Sequence, residues 1–182
     1  MKIEPTRIDD VKIVWPDKFG DHRGFFSETF NSEKFKRIGL DLSFCQDNHS
    51  LSEKAGTLRG LHFQINPYAQ GKLLRVTRGA IYDVAVDIRK NSDSFGKWIG
   101  VYLNSTNQNQ LWIPEGFAHG FLTMSDYAEV NYKTTNFWNK HYEDSIIWND
   151  KTINIDWPLL DLSEVSVRLS EKDLNAQKLD DL

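Results

Sequence analysis

Short runs of alternating apolar and polar residues, broken by Gly, Asn, Asp and Pro, recur along the chain as far as Thr135. A period of two predicts strands, because successive side chains of extended backbone point to opposite faces. In Arg59-Gly60-Leu61-His62-Phe63-Gln64 the alternation sends His62 and Gln64 to one face and Leu61 and Phe63 to the other. A second run, Gly71-Lys72-Leu73-Leu74-Arg75-Val76, brings Lys72 to the same part of the sheet. From Lys72 to Arg89 the pattern reads as a hairpin of two strands joined at Arg78-Gly79. Tyr82, Val84, Val86 and Ile88 fall on one face of its second strand, and Ile81, Asp83, Ala85 and Asp87 on the other. Phe95 to Leu103, Asn109 to Ile113 and Glu129 to Thr135 continue the strand series. Between the last two, Pro114-Glu115-Gly116-Phe117-Ala118-His119-Gly120-Phe121 forces a tight bend.

Helical signals are few. Asn31 can cap a short helix through Ile38, with Gly39 at its end, and Ser170 can cap a polar C-terminal helix. Residues 1–15 alternate loosely and predict an N-terminal strand that pairs with another subunit. Past Trp138 the regularity fades into short apolar pieces, Glu143 to Trp148 and Ile153 to Trp157, closed by Pro158. The reading is an all-β fold with a few short peripheral helices: one domain over residues 1–182, with 170–182 as a C-terminal helix or tail.

Composition sharpens this picture. Eleven Phe, six Trp and six Tyr among 182 residues favour strands and supply a core large enough for one domain. A net charge of -4 argues against a nucleic-acid binder, so an anionic ligand needs a local basic pocket. Cys45 is the only cysteine, and no apolar run approaches the ~20 residues of a membrane helix. No membrane association and a cytoplasmic location are expected.

His62 and Lys72 suggest a polar cavity between strands. Taken alone, His62 is as readily a core histidine satisfied by a hydrogen bond. Five stretches change the balance: RGLHFQ from Arg59, QGKLLRVTRG from Gln70, QLWIPEGFAHGF from Gln110, YKTTNFW from Tyr132 and LSEKD from Leu169. In this order they resemble the dTDP-4-dehydrorhamnose 3,5-epimerase family of the cupin superfamily, and the likeness runs from Arg23 to Asp173. The resemblance implies a cupin jelly-roll, a double-stranded β-helix barrel around a ligand site. It also implies a homodimer in which the N-terminal part of one subunit reaches the site of the other. The substrate it implies is dTDP-4-dehydro-6-deoxy-D-glucose, inverted at C3 and C5 to dTDP-4-dehydro-L-rhamnose, a step of dTDP-rhamnose biosynthesis.

By the same resemblance His62 is the base and Tyr132 gives a proton back on the opposite face. Lys72 stabilises the oxyanion, and Asp173 orients His62, with Asp83 as the rival for that role. Arg23 and Arg59 suit the diphosphate, and Lys172, Glu28, Gln46, Asn48, His119 and Glu143 match binding positions. Trp138 stands where the family often has a Tyr that stacks on thymine. No cofactor is implied. Pro114-x-Gly116-x-x-His119 fits the later metal motif of other cupins. The earlier one is broken, since Gln64 follows His62 and Lys72 repels a dication, so no metal is expected. A C3-only epimerase shares nearly all these residues. A sugar 3,4-ketoisomerase lacks the LSEKD stretch, and a non-catalytic nucleotide-sugar module gives no reason for His62, Lys72 and Tyr132 to occur together.

Overall fold

The computed structural model describes residues 1–162 and 166–182. Its first strands are β1 (Lys2–Pro5), β2 (Lys12–Trp15), β3 (Lys18–Asp21) and β4 (Gly24–Ser27), followed by helix α1 (Ser32–Arg37). Then come β5 (Gln46–Ser52), β6 (Leu58–Gln64), β7 (Lys72–Arg78), β8 (Ala80–Asp87) and β9 (Trp98–Asn104). The series closes with β10 (Gln110–Ile113), β11 (Phe117–Thr123), β12 (Ala128–Thr134) and β13 (Glu143–Ser145), and helix α2 (Glu171–Leu174). A six-stranded sheet in the order β1-β2-β10-β7-β12-β5 faces a five-stranded sheet in the order β13-β6-β11-β8-β9. Their pairings are antiparallel, and together they form the cupin barrel.

Between the sheets lies a core of Leu74, Val76, Ile81, Ala85, Ile99, Leu103, Leu111, Phe121 and Val130. Every one comes from the inward face that the alternation marks. Two further clusters explain why some strands are apolar on both sides. The outer face of the five-stranded sheet, with Leu58, Leu61, Val84, Val86 and Leu122, is covered by Ile146, Ile153, Trp157 and Leu179 from the C-terminal part of the chain. On the other sheet Leu73 and Trp112 are covered by Phe35 of α1, which Asn31 caps by accepting a bond from the Lys34 amide at 3.1 Å. Each such side chain stabilises the fold by about 1.5–3 kcal/mol when fully buried.

One expectation fails here. The strands of Lys72 to Arg89 do not form a hairpin: β7 pairs with β10 and β12, whereas β8 pairs with β9 and β11. At Gly79 the chain crosses from one sheet to the other. Its φ of 76° and the Tyr127 carbonyl, 2.0 Å from where a Cβ would stand, make this a corner that only glycine fits. The bend beginning at Pro114 also ends sooner than expected, because His119 lies inside β11. Residues 2–15 form a hairpin of β1 and β2 laid on β10 of the same chain, with β1 at the sheet edge. The separate hairpin β3-β4 leaves Phe19, Phe25 and Phe26 62%, 53% and 67% exposed.

Candidate active site

The site begins with an irregularity in β6. The pairing of β11 with β6 shifts register between His119, opposite His62, and Phe121, opposite Arg59, so β6 carries one extra residue. Gly60 takes up the bulge with a φ of 126°, and an added Cβ there would lie 2.4 Å from the Gly120 Cα. Strict alternation would put Arg59 beside Leu61; instead Leu58 and Leu61 share the outer core. Arg59 turns toward β5, donating from Nε to Ser52 Oγ at 3.1 Å and from Nη2 to the Leu51 carbonyl at 3.0 Å.

His62 Nε2 lies 2.5 Å from Asp173 Oδ1. The carboxylate comes from α2, where the Ser170 hydroxyl donates to Asp173 Oδ2 at 2.9 Å and accepts from the Asp173 amide at 3.2 Å. Asp173 is therefore both a helix-start residue and the partner of His62. Burial pushes its carboxyl up, but hydrogen bonds from His62, Ser170 and the Gly60 amide hold it, on balance, below the ordinary carboxylate value. Asp83, the rival, pairs with the other histidine: its Oδ1 is 2.7 Å from His119 Nε2. Two histidine–carboxylate pairs thus stand side by side on adjacent strands.

Lys72 faces the same interior as Leu74 and Val76, as the alternation of β7 requires. Its Nζ lies 3.4 Å from the His62 carbonyl oxygen. Burial pushes the ammonium down to about 8, against the pull of Asp83 and Glu143. Tyr132 is in register with Asn48 of β5 and Leu74 of β7, and burial holds its phenol above the ordinary value. His62, Lys72, Tyr132, Gln46, Asn48, Trp138 and Glu143 line one cavity of about 90 Å³. A wider one of about 350 Å³ opens around Arg75, Asp47 and Lys133 on the outer face of the six-stranded sheet. It shares Asn48 and Tyr132 with the smaller cavity but contains neither histidine pair.

At the cavity mouth Glu143 meets Lys172 at 2.6 Å. Burial pushes Glu143 up, yet the hydrogen bond from Lys172 and that from Trp138 bring it below its ordinary value. Trp138 is exposed, but its loop is pinned. Gln46 Oε1 accepts from the Trp138 amide at 3.0 Å, and Gln64 Oε1 accepts from the Asn139 amide at 2.7 Å. Gln64 also donates to the Tyr68 and Phe137 carbonyls at 2.6 and 3.1 Å. That anchoring role escaped the sequence reading, although the period of β6 had put Gln64 on the face of His62. The structure does not bring Arg23 and Glu28 to this cavity. Arg23 sits on the exposed hairpin, 2.6 Å from Asp21, and Glu28 bonds to Lys34 and Asn31.

An antiparallel barrel of two sheets thus encloses His62, Lys72 and Tyr132 in one cavity. A family model described as dTDP-4-dehydrorhamnose 3,5-epimerase matches residues 5–181. The dTDP-4-dehydrorhamnose 3,5-epimerase of Shigella flexneri is 55% identical over 182 residues, covering 100% of this chain and 97% of its own. A crystal structure of dTDP-6-deoxy-D-glucose-3,5-epimerase from Legionella pneumophila Philadelphia 1, in complex with dTDP-4-keto-L-rhamnose, matches with a TM-score of 0.92 at 46% identity. That alignment covers 98% of this chain and 93% of the other. A 3'-monoepimerase from Streptomyces bikiniensis, in complex with dTDP-quinovose, matches with a TM-score of 0.88 at 31% identity, covering 97% and 87%. The chain belongs to the dTDP-4-dehydrorhamnose 3,5-epimerase family.

Proposed function

We propose that the 90 Å³ cavity inverts C3 and C5 of dTDP-4-dehydro-6-deoxy-D-glucose, giving dTDP-4-dehydro-L-rhamnose for dTDP-rhamnose biosynthesis. One observation carries the reading: His62 projects from the five-stranded sheet and Tyr132 from the six-stranded sheet, on opposite walls of one cavity. Inversion needs a base on one face of the sugar and a proton donor on the other. Each target carbon is next to the C4 ketone, so removing its proton generates an enolate. His62 takes that proton, and Asp173 stabilises the resulting imidazolium and fixes its ring. Lys72 meets the developing oxyanion in a site where water does not screen the charge. Tyr132 returns a proton from the far side. No cofactor or metal enters these steps, because the ammonium of Lys72 holds the place beside the enolate oxygen.

Substrate binding falls to the rim. Trp138 offers a flat face for thymine, Arg59 and Lys172 suit the diphosphate, and the sugar and nucleotide contacts are assigned to Gln46, Asn48 and Glu143, which line the cavity, and to His119 beside it. The whole of residues 1–182 acts as one unit, since α2 completes the pair with His62. Arg23, with Glu28 near the base of the same segment, serves the site of a second subunit in a homodimer. The three exposed phenylalanines of β3-β4 support this, being apolar area that a second copy would cover. Among the described residues no helix is long and apolar enough to cross a membrane, and the unpaired Cys45 suits a reducing cytoplasm.

Incubation with that nucleotide sugar in heavy water tests the reaction. Deuterium is expected at both C3 and C5, together with the inverted product. Label at C3 alone would place the chain with the monoepimerases, and no label would leave a binding module. The 55% identity to a double epimerase, against 31% to a monoepimerase, supports the first outcome.

A further inference from the structure

Lys72 is a half-buried ammonium that makes no ion pair among the described residues; its only hydrogen bond there is the long one to the His62 carbonyl. An isolated charge in such a place is costly, and an amine responds by losing its proton. The titratable groups around it are His62 from β6, Asp83 from β8, His119 from β11, Tyr132 from β12, Glu143 from β13, and Lys172 and Asp173 from α2. Of the three carboxylates, Asp173 is engaged by His62 and Glu143 by Lys172. Asp83 differs. It is fully buried, gives Oδ1 to His119, and its Oδ2 has no hydrogen-bond partner among the described residues.

We infer that Asp83 is the fixed counter-charge that keeps Lys72 an ammonium, and that His119 holds this carboxylate back from a direct ion pair. The inference rests on the proposed role of Lys72 at the enolate oxygen. A contact ion pair would occupy the donor that the oxyanion needs. A carboxylate tethered to His119 acts through space and leaves Nζ free. Asp83 is the largest of the charges that oppose the burial effect on Lys72, ahead of Glu143. His119 lends itself to the tethering: burial pushes it below its ordinary value despite Asp83, so it is neutral, and with Nε2–H donated to Asp83 its Nδ1 is left as an acceptor. Asp83 is on this account a positioning residue that acts through Lys72.

The Asp83→Asn variant keeps the shape and an acceptor for His119 while removing the charge. Because Asp83 favours the charged amine, its loss lowers the Lys72 titration further, and the rate at alkaline pH falls with it. In wild type, kcat/KM should decline above the Lys72 value of about 8. The Tyr132 phenol titrates higher and does not set that limb. In Asp83→Asn the limb should move down by about one pH unit or more, so the variant loses roughly tenfold at alkaline pH and recovers toward wild type near about pH 6. His119→Gln keeps the charge and should leave the limb in place while raising KM. A limb that does not move in Asp83→Asn overturns the inference, as does one that moves equally in both variants. A direct titration of the Lys72 amine by nitrogen-15 NMR, assigned with Lys72→Arg, requires no turnover. An amine titrating like a free lysine in wild type would refute the inference even if Asp83→Asn fails to fold. Loss of the exchange reaction itself would instead refute the function, so the two failures are distinguishable.

Discussion

At the scale of single residues, the proposed mechanism gives proton removal to His62 and proton return to Tyr132, on facing walls of the cavity, and a substitution can separate the two parts. Phe at 132 keeps the ring that packs against the inner core and removes only the donor. His62 can still remove and return a proton on its own side. Tyr132→Phe should therefore wash deuterium into the substrate faster than it makes inverted sugar. The ratio of exchange to inversion, followed by proton NMR, is the measurement, and wild-type turnover with an unchanged ratio would reduce Tyr132 to packing. Much of this residue chemistry was legible beforehand. The period of two assigns Lys72 and His62 to polar interior positions without any structure. It was silent on which carboxylate serves which histidine, because Asp83 and Asp173 both lie far from His62 in sequence and only the fold decides between them. Ser170 shows the converse: recognised as a helix cap, it also braces the carboxylate that meets His62.

Among elements, strand positions followed from alternation, but their partners did not. An alternating run states which face is buried and says nothing about which neighbour it pairs with. The corner at Gly79 and the bulge at Gly60 are backbone events, marked in the chain only by a glycine. Gly60→Ala tests how much the bulge matters. Its Cβ would meet backbone atoms of Gly120 and His119, at 2.4 and 2.8 Å, and backbone cannot swing aside as a side chain does. With the strain of a positive φ added, a loss of about 2–4 kcal/mol in stability is expected. Chemical denaturation checks this; a variant as stable as wild type would show that β6 and β11 can separate at no cost. The irregular stretch after Trp138 was the least legible. Its apolar residues have no period because they cover the outside of a sheet in loops rather than in a regular element.

For the whole molecule, the proposed dimer makes each site a joint construction. If Arg23 of one subunit serves the cavity of the other, then two disabled chains can repair each other. His62→Ala lacks the base, and Arg23→Ala lacks the reaching arm. A heterodimer of the two contains one site with both residues intact, so mixing after co-refolding should restore activity that neither variant has alone. No gain on mixing would mean that Arg23 serves its own subunit or none. The barrel itself is held by large apolar clusters, whereas the partner of His62 arrives on α2, a single helical turn. A helix so short has no stability of its own and persists only while it is docked. Its release opens only a small part of the structure, and such local openings are reached at far lower free energy than global unfolding. On the proposed mechanism the protein therefore has two lifetimes under stress, a catalytic one and a structural one, and the catalytic one is shorter: warmed or exposed to denaturant, it becomes an intact barrel that has stopped turning over.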